Sequence, residues 1–216
     1  NMFSKIFPKI HAEGYKFLVI AGIITIVFYI FSNFLGLIGL LLTIWTYYFF
    51  RDPDRVSINQ EKFFVSPADG LVSSITSVSG PKELGLDQKT FTRVSIFMNV
   101  FNCHVNRVPC SGKIEKIFYK AGEFINASLD KASEKNERNY VKIISKNGDR
   151  LILVQIAGLI ARRIVCEKKE NDEINQGSRF GMIRFGSRVD IYFKNKKILA
   201  KLGQNVVAGE SLLASE

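Results

Sequence analysis

The chain has two histidines. His11 precedes a long apolar run, which leaves His104 as the one imidazole available to a site in the rest of the sequence. It stands in Phe101-Asn102-Cys103-His104-Val105-Asn106-Arg107-Val108-Pro109. An imidazole titrates near neutral pH and can move protons there. Arg107, three residues on, could hold an anionic substrate group or make a structural ion pair. Asp69 lies in Ser66-Pro67-Ala68-Asp69-Gly70, a tight turn able to put a carboxylate at the mouth of a sheet; alone it reads as a turn aspartate. Ser187 follows Gly186 and opens the run Arg188-Val189-Asp190-Ile191-Tyr192-Phe193, though Gly-Ser alone is only a turn dipeptide. Ser178, after Gly177, is the rival hydroxyl; Ser187 is preferred because an apolar strand is expected directly after it. Arg138, in Asn136-Glu137-Arg138, is a second candidate for binding an anion.

Other chemistries find less material. Cys103 beside His104 suggests a metal ligand pair, but no CxxC and no second nearby histidine follow, so no metal is expected. Cys103, Cys110 and Cys166 give no even disulfide framework, which points to a reducing compartment. The Gly-x-Ser-x-Gly elbow of serine hydrolases is absent. The 30 Lys and Arg against 20 Asp and Glu give a net charge of +10, which favours an anionic partner. The excess is spread along the chain with no compact basic run interleaved with aromatics, so an anionic membrane surface is expected and nucleic acid is not.

Two kinds of element must position these residues. From Phe17 through Phe50, 34 positions, there is no charged residue, against the ~20 that one helical span needs. Ser32-Asn33 and Gly36 suit a turn, so the run reads as two helices, Phe17 to Phe31 and Phe34 to Phe50. At ~1.5 Å per residue each arm reaches about 22 to 25 Å against a hydrocarbon core of ~30 Å, so a dipping hairpin and two tilted spans both remain open. Lys5, Lys9 and Lys16 before the run and Arg51 and Arg55 after it place both ends in the cytoplasm. The expected location is the cell (inner) membrane, with the soluble domain on the cytoplasmic face. A cleaved signal peptide and an internal core helical pair are the alternatives; the run is too long for the first.

After Pro53 short apolar runs alternate with turn residues, and the fold class is mainly β (α+β): a barrel-like sandwich of short strands preceded by the helical hairpin. Strands are expected at Gly70 to Val78, Thr92 to Met98, His104 to Arg107, Gly112 to Tyr119, Tyr140 to Ser145, Leu151 to Ala157, Ser187 to Phe193 and Leu213 to Ala214. Asn147-Gly148 is a hairpin turn signal. Residues 127 to 139 read as a loop, and Ala157 to Cys166 as a short helix or irregular connection. The Gly-acid turns at Gly122-Glu123 and Gly209-Glu210 resemble the hairpins of carrier domains, which keeps a membrane-anchored, non-catalytic adaptor as a second function. The domain division is 1–55 for the anchor and 56–216 for the rest.

Taken together, SPADG, FNCHVNRVP and RFGSRVDIYF, in this order and downstream of an apolar hairpin ending in FFRDPDR, resemble the short form of the phosphatidylserine decarboxylase family over nearly the whole chain. The resemblance implies a zymogen. A Ser-His-Asp set mapping onto Ser187, His104 and Asp69 cuts the chain at Gly186-Ser187 into 1–186 and 187–216, which stay associated, and a homodimer is possible. Asp69 orients His104, which takes the Ser187 proton so that the hydroxyl attacks the Gly186 carbonyl. Elimination and hydrolysis then convert Ser187 to a pyruvoyl group, the cofactor that forms a Schiff base with the amine of phosphatidylserine and makes pyridoxal phosphate unnecessary. Relatives with Leu-Gly-Ser-Thr at the cleavage point differ from the Phe-Gly-Ser-Arg found here, a departure that bears on substrate detail more than on cleavage.

Overall fold

The computed structural model describes residues 7–123, 135–158, 163–184 and 187–216. The chain divides into two compact units, Asn1–Asp54 and Arg55–Glu216.

In the first unit a 3-10 turn, Ala12–Gly14, leads into α1, Tyr15–Phe31, followed by α2, Asn33–Phe49. A single residue makes the break. Ser32 is extended, with φ −167° and ψ 137°, and its Oγ accepts from Phe34 N at 3.2 Å, capping α2. Gly36 is not part of the turn, as the sequence suggested. It lies within α2, where a Cβ would meet Tyr29 Cδ2 at 2.7 Å, so its bareness lets the two arms touch. One turn on, Thr25 Oγ1 and Thr43 Oγ1 are 2.9 Å apart. The open ends of the hairpin are tied as well, with Phe50 O accepting from His11 N at 2.9 Å and Lys9 O accepting from Asp52 N at 2.6 Å. α1 has no buried residue, and Ala12–Phe31 is long and apolar enough to cross a membrane.

The second unit is β. Its strands are β1 Phe63–Val65, β2 Gly70–Ser79, β3 Thr90–Met98, β4 Val105–Arg107, β5 Gly112–Lys120, β6 Arg138–Ser145, β7 Arg150–Ile156, β8 Ile164–Cys166, β9 Glu173–Ile174, β10 Arg179–Ile183, β11 Ser187–Phe193, β12 Lys197–Ile198, β13 Asn205–Val206 and β14 Leu212–Ser215. Among the described residues they form an eight-stranded sheet, β13-β2-β3-β11-β7-β6-β5-β9, that curls into a half-barrel, and two three-stranded sheets, β1-β14-β12 and β4-β10-β8. The mainly β class and the N-terminal helical pair are as expected. The connection read as a helix or irregular stretch between Ala157 and Cys166 ends instead in β8; part of it, like residues 127–134 of the expected loop, lies outside the described residues, and the last two positions of that loop, Arg138 and Asn139, open β6.

Alternation along the strands sorts the large sheet into two faces. Val94, Ile96 and Met98 of β3, Val189, Ile191 and Phe193 of β11, Leu151 and Leu153 of β7 and Val141 and Ile143 of β6 line one apolar core. The opposite face carries Phe91, Tyr192, Ile152, Val154, Ile156 and Tyr140, covered by Leu84 and Leu86 of the loop after β2. With both faces buried, β11 reads as a strand with no exposed position at all.

Candidate active site

Ser187 opens β11 with its residue fully buried, and its Oγ has no hydrogen-bond partner among the described residues. Alternation puts this side chain on the inner face, in line with Val189 and Ile191. Directly across the ladder is Met98, the last residue of β3. The same register carries one strand further, since Arg188 pairs with Phe97 and Phe97 with Leu71. Asp69 precedes Leu71 by two residues, so the sheet delivers it to the end where β11 begins, two strands or about 10 Å away along the backbone. Gly70 is what allows the approach, because a Cβ there would lie 2.2 Å from Phe97 O.

His104 reaches the same end by a turn. Asn102 N donates to Asn99 O at 3.0 Å, and Asn99 N donates to Asn102 Oδ1 at 2.9 Å, which reverses the chain after β3 and leads it into β4. His104 O accepts from Ile183 N at 3.4 Å, four residues before Ser187. The residue is wholly buried, and its Nδ1 lies 3.0 Å from Asn102 O. A proton on Nδ1 donated to that carbonyl leaves Nε2 as the basic nitrogen. The sequence reading gives the orienting role to Asp69; at Nδ1 the structure offers a backbone carbonyl. Asp69 itself is held by Arg55 Nη2, which donates to Oδ2 at 2.7 Å, and by Ala208 N, which donates to Oδ1 at 2.7 Å. Arg55, read from the sequence only as part of the basic flank, therefore belongs to the site.

The two arginines proposed for the substrate are placed apart. Arg107 is buried on β4; its backbone N donates to Pro67 O at 2.8 Å and its Nη1 to Gly177 O at 2.8 Å. Alternation sets it on the side of β4 opposite His104 and Asn106. Arg138 stands on the outer face of the large sheet, 3.6 Å from Glu83 Oε1 and over the Tyr140 ring at 5.6 Å. Ser178, the rival hydroxyl, is also followed by a strand, β10, and its Oγ too is buried and without a hydrogen-bond partner among the described residues, so neither feature separates it from Ser187; position does, since Ser187 opens a strand of the large sheet at the end to which Asp69 is delivered, whereas β10 belongs to the three-stranded sheet β4-β10-β8. Gly186 lies outside the described residues.

Sequence reasoning missed a run of amides beside Ser187. Asn139 Nδ2 donates to Gln155 Oε1 at 2.9 Å, Gln155 Nε2 to Asn106 Oδ1 at 2.9 Å, and Asn106 Nδ2 to Met98 Sδ at 3.7 Å. The available signal was Gln155 on the inward phase of Leu151-Ile152-Leu153-Val154-Gln155-Ile156, a polar residue where alternation demands an apolar one. Among the described residues no three His, Cys, Asp or Glu side chains come together as a metal site. The thiol of Cys110 is pushed up to about 12 by burial and by Asp149, which keeps it protonated and unsuited to nucleophilic work.

Comparison with known proteins sets this geometry in a family. The sequence model described as phosphatidylserine decarboxylase matches residues 42–214, a span holding Asp69, His104 and Ser187. The chain belongs to the phosphatidylserine decarboxylase family. A phosphatidylserine decarboxylase proenzyme of Pelagibacter ubique (strain HTCC1062) is 64% identical over 215 residues, covering 100% of both chains. One of Ruegeria pomeroyi is 51% identical over 205 residues, 94% of each chain. Another of Rickettsia typhi is 47% identical over 215 residues, 99% of this chain and 93% of its own. The family match begins within α2, whereas the alignment to the Pelagibacter phosphatidylserine decarboxylase proenzyme takes in the whole helical pair.

Proposed function

We propose that the chain decarboxylates phosphatidylserine to phosphatidylethanolamine at a membrane, after cutting itself at Gly186-Ser187 and converting Ser187 to a pyruvoyl group. The observation that carries this reading is the position of Ser187 at the head of a central strand, at the end of the sheet that also receives Asp69 and His104, with its hydroxyl buried and without a hydrogen-bond partner among the described residues. Leaving a buried hydroxyl without a partner costs about 1 to 3 kcal/mol. Among apolar neighbours such as Met98 and Val189, the methyl of a pyruvoyl group suits the same place without that cost, so the surroundings fit the product better than the serine.

In this reading His104 Nε2 takes the proton from Ser187 Oγ, which attacks the Gly186 carbonyl; the peptide nitrogen leaves as the amine of residue 187 and an ester remains. Loss of the Ser187 α-proton then breaks the Cβ–Oγ bond, and the electron pair departs with the Gly186 carboxylate. The resulting enamine tautomerises, takes up water and releases ammonia. The ketone so formed supplies an electron sink for an amino acid's amine. His104 serves a second time by holding a proton for the carbon that has lost carbon dioxide. Asp69, braced by Arg55 and Ala208 N, keeps a negative charge at this end of the sheet that favours the imidazolium formed in the first step.

The topology supports lasting association of the two pieces. Residues 187–216 include β11, bonded on both sides by β3 and β7, β13 on β2, and β14 on β1. Separation would break all of these ladders. The hairpin anchors the enzyme, with Lys9, Lys16 and Arg51 favouring the cytoplasmic side of the cell membrane. A denaturing gel tests the reading: wild type should give fragments 1–186 and 187–216, while Ser187→Ala should remain one chain. Two fragments of the same sizes from Ser187→Ala would refute self-cleavage at this residue.

A further inference from the structure

We propose that Asn106 is the donor that binds the carboxylate of the substrate's serine headgroup, and that Gln155 and Asn139 position it. This rests on the decarboxylase reading above. That reading assigns groups that move protons but none that holds the carboxylate about to be lost.

Three observations converge on Asn106. It follows His104 by two residues where the chain enters β4, so alternation directs both side chains to one side of the strand, and both residues are wholly buried. Its Nδ2 reaches Met98, the cross-strand neighbour of Ser187, whose Cβ is expected within about 5.5 Å of the Met98 Cβ. The amide run also has a direction. Asn139 donates to Gln155 and Gln155 to Asn106, which occupies Asn106 Oδ1 and turns its NH2 toward Met98 and the reacting end of the sheet.

The far end of the run is its informative part. An amide nitrogen carries two protons, and among the described residues the only acceptor for Asn106 Nδ2 is a thioether, which accepts weakly. A purely structural polar network would be expected to end on a strong acceptor such as a carbonyl. Here a fully desolvated donor is held beside the cross-strand neighbour of Ser187, with nothing better than sulfur to bond among the described residues. A carboxylate brought to Asn106 Nδ2 gains an oriented hydrogen bond. The donor is neutral, so it fixes the group without the strong ground-state stabilisation of a guanidinium, and the departing carbon dioxide, which has no charge, leaves the donor with no ion pair to break. Arg107 on the opposite side of β4 and Arg138 on the outer face fit this division of labour.

The test is the apparent affinity of the processed full-length protein for short-chain phosphatidylserine and phosphatidylethanolamine, read from the concentration dependence of binding and of borohydride capture on the 187–216 fragment within a single turnover, before phosphatidylserine is converted. The two lipids differ by the carboxylate. Asn106→Leu should weaken phosphatidylserine binding roughly ten- to a hundredfold, as expected for a lost hydrogen bond to a charged group, and shift phosphatidylethanolamine less than about threefold. Asn106→Asp, of nearly the same shape, guards against a folding defect and should discriminate against phosphatidylserine at least as strongly. Gln155→Met, which frees the Asn106 amide to turn, should lower the same affinity ratio by a smaller factor. Equal losses for both lipids, an unchanged ratio, or folded Asn106 variants that stay uncleaved would overturn the assignment. A wild-type chain that is not processed and captures neither lipid overturns instead the decarboxylase reading beneath it.

Discussion

Met98 stands directly opposite Ser187 where β3 pairs with β11, and both point into the apolar core of the curled sheet. Met98 is wholly buried, so truncation leaves a cavity against the serine. Met98→Ala should cost about 2 to 5 kcal/mol of stability and slow maturation, whereas Met98→Leu, of similar volume, should cost less than about 1.5 kcal/mol. Urea unfolding of the uncleaved Ser187→Ala background isolates the stability term. Equal midpoints for the two Met98 variants would show that the core does not close around residue 187 as described.

Asp69 accepts from Arg55 Nη2 and from Ala208 N, and removing it strands both. Asp69→Ala should therefore slow self-cleavage more than Arg55→Met, which leaves the carboxylate with its backbone donor. The Arg55–Asp69 pair is mostly but not fully buried, at 17% and 13% side-chain exposure, so solvent moderates the effect of the arginine. A time course of fragment appearance measures both. Wild-type kinetics in Asp69→Ala would remove this carboxylate from the mechanism.

Much of this was legible in the residues. The strands expected at Gly70, Gly112 and Ser187 begin where the sheet has them, because each run combines alternation with an opening turn residue. The hairpin break at Ser32 was readable for the same reason. The short strands β1, β8, β9, β10, β12 and β13 were not, since two to five residues carry too little periodicity to announce themselves and owe their form to pairing partners far along the chain. At the site, the scarcity of histidine pointed to His104. No local signal paired Arg55 with Asp69, because that contact depends on the fold; Asn102 O lies only two residues from the imidazole, but its place at Nδ1 depends on the conformation of the turn after β3. Arg138 looked like a substrate ligand by charge alone; the one-residue phase of β6 turns it to the outer face.

That outer face carries a pH-sensitive contact. Burial raises the Glu83 carboxyl pKa, but the hydrogen bond from Lys120, its own backbone N–H and the charges of Arg138 and Lys120 outweigh burial and leave it lowered. A carboxylate with a folded pKa below its unfolded value of ~4.3 stabilises the fold above that value, and the contribution is lost as pH falls through the folded pKa. Glu83→Gln should therefore be less stable than wild type near pH 7, with the gap closing below about pH 4. Urea midpoints across that range measure it, and a gap that widens on acidification would contradict the sign.

The central claim is that Ser187 becomes the cofactor, and the intact mass of the small fragment tests it most directly. The account predicts a chain of residues 187–216 lighter by one ammonia than the same chain beginning with serine, resistant to Edman degradation because a ketone stands in place of its amine. A fragment that has the full serine-initiated mass and reads Ser-Arg-Val from its N-terminus would show cleavage without cofactor formation and contradict the account.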